Sequence, residues 1–177
     1  MAALRARFPE IVFSVSATTR PPRVGETDGA SYHFVTDEQF DALVASDGLL
    51  EWANYAGTRY GTPRQPVLDA LAQGKTMLLE IDLAGARQIR VSFPDAFQVF
   101  IAPPSWEELE RRLRQRGAES EAQMATRLAR GRDELAAESE FDAVIVNDEV
   151  GLAVDQLVEL LGLRGRAPHA NNTKGNS

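Results

Sequence analysis

Short runs of β-branched and aromatic residues alternate along this chain with longer stretches whose apolar residues recur at helical spacing. This alternation predicts an α/β fold, in which crossover helices cover a mainly parallel sheet. The length of 177 residues predicts one domain around a single core. Six strands are predicted, at residues 11–15, 31–35, 49–55, 76–82, 96–101 and 143–147.

Polar residues at the ends of the predicted helices give clear start and stop signals. Thr62 followed by Pro63 predicts the start of one helix, and Gly74 predicts its end. Three further starts have the spacing of a capping box, in which two residues cap each other's amides. These pairs are Thr36 with Gln39, Ser105 with Glu108, and Ser120 with Gln123.

The predicted strand at 76–82 is apolar on both faces until its last residues, which is typical of a parallel strand covered on both sides. The carboxylate of Asp82 therefore emerges at the carboxyl end of a strand. Open α/β sheets bind their ligands at that edge.

Composition excludes several classes of function. The chain has no cysteine and two histidines, so a thiolate zinc site, a disulfide framework and a Cys-His catalytic pair are excluded. A net charge of −7 argues against general nucleic-acid binding. The sequence contains no apolar run of about 20 residues and no signal peptide, so a soluble, cytoplasmic protein without membrane partners is expected. Residues 164–177 are predicted to be a disordered tail.

Two arginines three residues apart, Arg20 and Arg23, follow the first predicted strand, with Tyr32 nearby. Guanidinium forks of this kind suit a phosphate dianion. The alternative is a solvated loop whose arginines pair with Glu26 and Asp28.

A glutamate beside a tryptophan, Glu51-Trp52, lies in a predicted strand. Its carboxylate could accept hydrogen bonds from the N1–H and the exocyclic amine of guanine, a pair of donors that adenine lacks. The alternative is an exposed glutamate on a half-buried strand.

Arg112 and Arg116 lie four residues apart on one helical face, and Arg127 follows on the next predicted helix. The repulsion between Arg112 and Arg116 indicates that an anion such as a polyphosphate faces them. The alternative is a set of ordinary helical ion pairs, Glu107 with Arg111 and Glu108 with Arg112.

The segment Gly74-Lys75-Thr76 looks like the end of a phosphate-binding loop, but its context is wrong. Asp69 occupies the position of the first required glycine, and the segment precedes a strand instead of opening a helix. We interpret it as a helix stop.

Taken in order, several motifs resemble the guanylate kinase family over about residues 2–161. They are Ser-Ala-Thr-Thr-Arg, Tyr-His-Phe, Glu-Trp-Ala, Tyr-Gly-Thr, Ile-Asp-Leu-Ala-Gly, Ala-Pro-Pro-Ser and Val-Asn-Asp. The resemblance implies a fold of the P-loop nucleoside-monophosphate-kinase type spanning 1–163, with a GMP-binding part at about 16–62 and a helical lid at about 105–132. It implies ATP-dependent phosphorylation of GMP in purine nucleotide metabolism, with ATP and Mg²⁺.

The resemblance also implies roles for individual residues. The GMP phosphate would be held by Arg20, Arg23, Tyr32 and Tyr60. The guanine would be held by Ser16, Glu51, Thr62 and Asp82. The lid would supply Arg112, Arg116 and Arg127 to the ATP phosphates as catalytic groups, and Asn147 would lie near the adenine.

One part of the family pattern is missing from the sequence: the first strand and the glycine-rich P-loop ending in Gly-Lys-Ser or Gly-Lys-Thr. A misplaced start codon or a truncated chain explains this more simply than a natural design, and a chain lacking the loop is expected to be unstable and inactive. Absence of the loop favours a rival, a catalytically silent guanylate-kinase-like module that binds phosphorylated protein segments. A second rival is an unrelated α/β phosphate-binding protein.

Overall fold

A computed structural model of the chain describes residues 2–9, 11–55, 57–115 and 120–162. The described residues divide into two compact units, the first within 2–98 together with Ser139–Asp142 and the second within Val99–Glu138 together with 143–162. Within the described ranges, no helix has the length and apolar character needed to cross a membrane.

The first unit contains a two-stranded parallel sheet and a four-stranded mixed sheet. Its elements are α1 (Ala2–Arg7), β1 (Val12–Phe13), β2 (Ala17–Thr18), β3 (His33–Phe34), α2 (Asp37–Ala45), β4 (Leu49–Tyr55), β5 (Thr58–Pro63), α3 (Arg64–Ala72), β6 (Met77–Leu78), α4 (Leu83–Ser92) and the last two residues of a 3-10 turn at Glu138–Glu140. Strands β1 and β6 pair in parallel. The mixed sheet has the order β3-β2-β5-β4, in which β2 and β3 are parallel and the other pairs are antiparallel.

The second unit is built on one parallel strand pair with three helices. Its elements are β7 (Val99–Ala102), α5 (Trp106–Gln115), α6 (Glu121–Ala136), β8 (Ala143–Val146) and α7 (Val150–Leu160). Strand β7 pairs with β8 in register over four residues. Helices α5 and α6 pack closely because Gly131 has no side chain. A Cβ there would lie 3.0 Å from Leu109 Cδ2.

Strand β4 connects two hydrophobic cores of the first unit. Leu49 belongs to the core between the mixed sheet and α2, with Ala17 and Phe40. Its neighbour Leu50 belongs to a second core, with Val67 and Ile89. Successive residues of a strand point to opposite faces, so β4 is buried on both sides at this point.

The α/β fold with parallel strand pairs is confirmed, and the predicted bounds of β4 coincide with the structure. Strand β5 was not predicted, because Gly61 and Pro63 are residues that usually mark turns. Gly61 is required where it lies, since a Cβ would be 2.8 Å from the backbone oxygen of Glu51. The predicted strand at 76–82 shortens to β6, whose two residues are half-buried.

Two predicted capping boxes, at Thr36 and at Ser120, are present with both reciprocal hydrogen bonds. At Ser105 only the hydroxyl cap forms, on the Glu108 amide. The prediction that Thr62 and Pro63 start a helix is wrong in detail. Helix α3 begins at Arg64, and Pro63 is its N-cap without a side-chain hydrogen bond.

The interpretation of Gly74-Lys75-Thr76 as a helix stop is confirmed. Gly74 has φ +69°, a conformation that glycine adopts without strain. The Gly74 N–H donates to the Leu71 carbonyl at 2.9 Å and the Lys75 N–H to the Ala70 carbonyl at 3.0 Å. These two bonds form a Schellman motif at the end of α3.

Candidate active site

Strands β4 and β5 bring Glu51 directly opposite Thr62. Both side chains are buried, with 6% and 0% of their surface exposed. The Thr62 hydroxyl donates to Glu51 Oε1 at 2.6 Å. Thr62 therefore orients a buried carboxylate, and an exposed surface glutamate, the alternative considered from the sequence, is excluded.

The start of helix α4 approaches the same carboxylate. Asp82 caps the helix by accepting from the Gly85 N–H at 2.8 Å. A Cβ on Gly85 would lie 2.6 Å from Glu51 Oε2, so the carboxylate occupies the space that a side chain would need. We call Glu51, Thr62, Asp82 and Gly85 the carboxylate cluster.

Electrostatics in the carboxylate cluster favour a protonated or hydrogen-bonded Glu51. Burial raises the pKa of the Glu51 carboxyl, and the negative charge of Asp82 raises it further. The hydrogen bond from Thr62 acts in the opposite direction without reversing the shift. A ligand that offers N–H donors to this carboxylate would replace the solvation it has lost.

Arg20 is held by a two-pronged contact with Glu26. Its Nη1 and Nη2 donate to the two carboxylate oxygens, each at 2.9 Å, and Nη1 also donates to the Pro21 carbonyl at 2.7 Å. The Arg20 side chain is 11% exposed. These contacts fix the plane of the guanidinium, and the hydrogen bonds with Glu26 raise the pKa of Arg20 above its usual value.

Aromatic rings surround this guanidinium. Its carbon lies 5.3 Å from the ring centre of Tyr32 and 5.8 Å from that of Phe34. Tyr32 in turn meets Tyr60 edge to face, with ring centres 6.0 Å apart. We call Arg20, Glu26, Tyr32 and Tyr60 the arginine–tyrosine cluster.

Tyr60 is coupled electrostatically to Arg20. Burial alone would raise the pKa of the Tyr60 hydroxyl, but hydrogen bonds with neighbouring threonines and Arg20, and the charge of Arg20, together lower it. Glu26 balances the charge of Arg20 in this structure, so an anionic ligand would have to share or replace this ion pair beside the Tyr60 phenol.

The solvated-loop alternative for the two arginines is partly right. Glu26 does pair with Arg20, but Asp28 accepts from the Phe34 N–H at 2.9 Å. Arg23 has an exposed side chain, and its backbone N–H donates to Glu26 at 2.7 Å. Glu26 thus contacts the side chain of Arg20 and the backbone amide of Arg23.

Strand β5 joins the two clusters of the first unit. Tyr60 belongs to the arginine–tyrosine cluster and Thr62 to the carboxylate cluster, and residues two apart on a strand share a face. Ser16 precedes β2, and its carbonyl accepts from the His33 N–H at 2.9 Å. The first unit therefore brings together three of the four residues expected to bind the phosphate and three of the four expected to bind guanine, namely Arg20, Tyr32 and Tyr60, and Glu51, Thr62 and Asp82.

The second unit contains the described residues expected to act on ATP. Arg112 Nε donates to Glu108 at 2.5 Å, and its Nη1 donates to the Asn147 carbonyl at 2.9 Å. Arg127 is half-buried on α6. Arg116 and the residues of the predicted tail lie outside the described residues.

The helical-pair alternative for the arginines of α5 is right for Glu108 with Arg112 and wrong for Glu107 with Arg111. Arg111 pairs with Glu108 instead, at 2.6 Å. Hydrogen bonds from Arg111 and Arg112 lower the pKa of Glu108 to about 2. Arg112 therefore has a carboxylate partner in this structure and also reaches Asn147.

Sequence reasoning missed Gly85, whose place in the site depends on a tertiary contact with Glu51. The available signal was its position in the motif Ile-Asp-Leu-Ala-Gly, three residues after Asp82. A glycine in the first turn of a helix weakens that helix and indicates a close approach by another group.

Comparison with known proteins gives a consistent result over nearly the whole chain. The family model described as guanylate kinase matches residues 2–163. A guanylate kinase from Thermobifida fusca (strain YX) is 61% identical over 158 residues, covering 89% of this chain and 81% of the relative. A guanylate kinase from Synechococcus sp. (strain CC9902) is 62% identical over 151 residues, covering 85% and 81%.

Solved structures agree with the sequence relatives. The crystal structure of guanylate kinase from Anaplasma phagocytophilum superposes with a TM-score of 0.75 at 31% identity, covering 94% of this chain and 83% of that one. The chain belongs to the guanylate kinase family.

Proposed function

We propose that this protein is a nucleoside monophosphate kinase that phosphorylates GMP at the expense of ATP. The observation that carries the proposal is the buried Glu51 carboxylate, oriented by Thr62 and joined through strand β5 to the arginine–tyrosine cluster. A guanine nucleotide offers hydrogen-bond donors to the Glu51 carboxylate and a phosphate to the arginine–tyrosine cluster. A cytoplasmic location and a place in purine nucleotide metabolism belong to the same proposal.

On the acceptor side, the carboxylate cluster would bind guanine. Glu51 would accept from the N1–H and the exocyclic amine of the base, and Asp82 would add negative charge beside them. Thr62 would keep the Glu51 carboxylate in place, and Ser16 would complete the base site. Adenine, which presents an acceptor where guanine presents the N1–H, would leave a buried charge unpaired.

The arginine–tyrosine cluster would bind the GMP phosphate. Arg20 is already fixed in one plane by Glu26, so less conformational entropy is lost when the phosphate binds. Tyr60 and Tyr32 would add hydroxyl donors, and the exposed Arg23 would turn toward the second face of the phosphate.

On the donor side, Arg112, Arg116 and Arg127 would offset the negative charge of the ATP phosphates, and Asn147 would lie near the adenine. Mg²⁺ would arrive with ATP as part of the substrate. In the parts of the chain that the structure covers, no group of three or more His, Asp or Glu side chains could hold a metal ion. The protein's own contribution is to orient both phosphates and to exclude water.

The direct test is calorimetric titration of the 177-residue chain with GMP and with AMP. We expect GMP to bind at least about tenfold more tightly, the effect of roughly one charge-assisted hydrogen bond. Formation of ADP that depends on GMP, measured on the chain together with any residues encoded upstream of Met1, tests the transfer itself. Equal affinity for the two nucleotides contradicts the proposal, and binding of a phosphorylated peptide without GMP would favour a binding module.

Replacing Arg20 or Arg23 with lysine tests the phosphate assignment. Lysine keeps the charge but lacks the planar fork, so we expect GMP affinity to fall roughly tenfold while guanosine affinity stays nearly unchanged. Isothermal titration with both ligands measures this difference. An equal loss for GMP and guanosine would mean that the arginines serve the fold and not the phosphate.

A further inference from the structure

The side-chain amide of Gln88 on α4 pairs with the backbone of Trp52 on β4. The Trp52 N–H donates to Gln88 Oε1 at 3.0 Å, and Gln88 Nε2 donates to the Trp52 carbonyl at 2.8 Å. Strand β4 is at the edge of its sheet. One amide therefore supplies both hydrogen bonds that a neighbouring strand would have made at this residue.

This contact lies where the strand ladder is irregular. Leu49 pairs with Pro63 and Glu51 pairs with Thr62, so Leu50 is an extra residue on β4. A bulge of this kind disrupts the ladder and redirects the side chain that follows it. The pairing with β5 just before Glu51 therefore holds the β4 backbone less firmly than a regular antiparallel ladder would.

Helix α4 makes its contacts with this region from a single face. Asp82, Gly85 and Gln88 are spaced three apart, which places them on the same side of a helix. Asp82 contributes charge, Gly85 leaves room for the Glu51 carboxylate, and Gln88 holds the next residue of β4. The helix thus sets both the space around the carboxylate and the path of the backbone that carries it.

We propose that Gln88 is a positioning residue for base selection. It acts through the Trp52 backbone and holds β4 so that Glu51 presents both carboxylate oxygens to the base. The inference rests on the proposed function, because it assumes that Glu51 binds guanine. It adds that discrimination between purines depends on an amide outside the base site.

The test compares GMP with IMP, which retains the N1–H but lacks the exocyclic amine. In the wild-type chain, GMP should bind more tightly than IMP because both carboxylate oxygens are used. In Gln88→Met, which keeps the side-chain length but loses both hydrogen bonds, GMP affinity should fall about tenfold and IMP affinity about threefold or less. The ratio of the two affinities, measured by calorimetry, should therefore shrink.

The matched control is Gln98→Met. Gln98 Nε2 donates to the Ala86 carbonyl at 2.9 Å, so this variant also removes a side-chain hydrogen bond to α4. It should lower stability without changing the ratio of GMP to IMP affinity. A purely structural role for Gln88 would give the two variants the same ratio.

Four results would overturn the inference. An unchanged ratio in Gln88→Met does so, and so does an equal change in Gln98→Met. Absence of GMP binding by the folded wild-type chain, extended by the residues encoded upstream of Met1 if the 177 residues do not fold alone, overturns the proposed function and this inference together. If Gln88→Met does not fold, NMR spectra of the wild-type chain with and without GMP provide the test. The Gln88 side-chain amide signals should move on GMP addition more than those of Gln98, and unmoved signals contradict us.

Discussion

Glu51→Gln should lower GMP affinity by about 1.5–3 kcal/mol, the scale of a hydrogen bond to a charged group. The amide keeps an oxygen that can accept from Thr62, but it places an N–H₂ group opposite a donor of the base. One acceptor is lost and one donor is left facing another donor. Calorimetric titration with GMP measures the loss, and affinity for AMP should change much less.

The same substitution should alter how stability depends on pH. Burial raises the pKa of Glu51 above the ordinary value of 4.5, so the folded state binds more protons than the unfolded state between those two values. The stability contributed by protonated Glu51 is complete below the ordinary value and is lost as pH rises through the raised one. The amide in Glu51→Gln does not ionise, so the variant does not lose stability as the pH rises. At neutral pH it should therefore unfold no more easily than the wild type.

The control for the loss of affinity is Glu80→Gln, which removes the same charge from an exposed side chain in the first unit. It should leave GMP affinity as in the wild type. A Glu51→Gln chain that binds GMP normally would exclude Glu51 from base recognition. A pH profile identical to the wild type would mean that the carboxylate is solvated.

Gly85→Ala is expected to reduce GMP affinity by about 2 kcal/mol and to lower stability by a smaller amount. The new methyl group would lie 2.6 Å from Glu51 Oε2, so the carboxylate has to move. Overpacking beside a buried, hydrogen-bonded group costs about 1–3 kcal/mol, and the better helix propensity of alanine offsets roughly 0.5–1 kcal/mol of that cost. Thermal unfolding and GMP titration of the same sample separate the two effects.

Gly151→Ala provides a matched comparison. Gly151 is also near the start of a helix, α7, and a Cβ there would meet nothing within 4 Å. This variant should gain a little stability and keep its GMP affinity. If Gly85→Ala also binds GMP normally, the Glu51 carboxylate tolerates displacement and its geometry does not set the affinity.

The segment at 76–82 shows how far periodicity can predict. Its apolar run indicated a parallel strand, and β6 does pair in parallel with β1, but the strand ends at Leu78 and Asp82 caps α4 four residues later. Local signals such as the capping pair at Thr36 and the glycine at residue 74 were also sufficient. Each of these depends on residues within a few positions along the chain.

The features that were not predicted depend on contacts between distant residues. Strand β5 contains Gly61 because β4 passes against it, and Thr62 orients Glu51 instead of capping a helix. Local propensity favours a turn and a helix start at this segment, and pairing with β4 overrides it. Gln88 gives no local signal either, because its partner Trp52 is 36 residues earlier.

The two clusters of the first unit share strand β5, so the strand fixes the distance between them. Tyr60 and Thr62 are two positions apart, a spacing of roughly 6.6 Å along a strand. Inserting or deleting one residue between them would turn their side chains to opposite faces and separate the two halves of the site. Under the proposed function, side-chain substitutions in β5 could change the preferred nucleotide during evolution. Insertions or deletions in β5 would be selected against, because they would separate the two halves of the site.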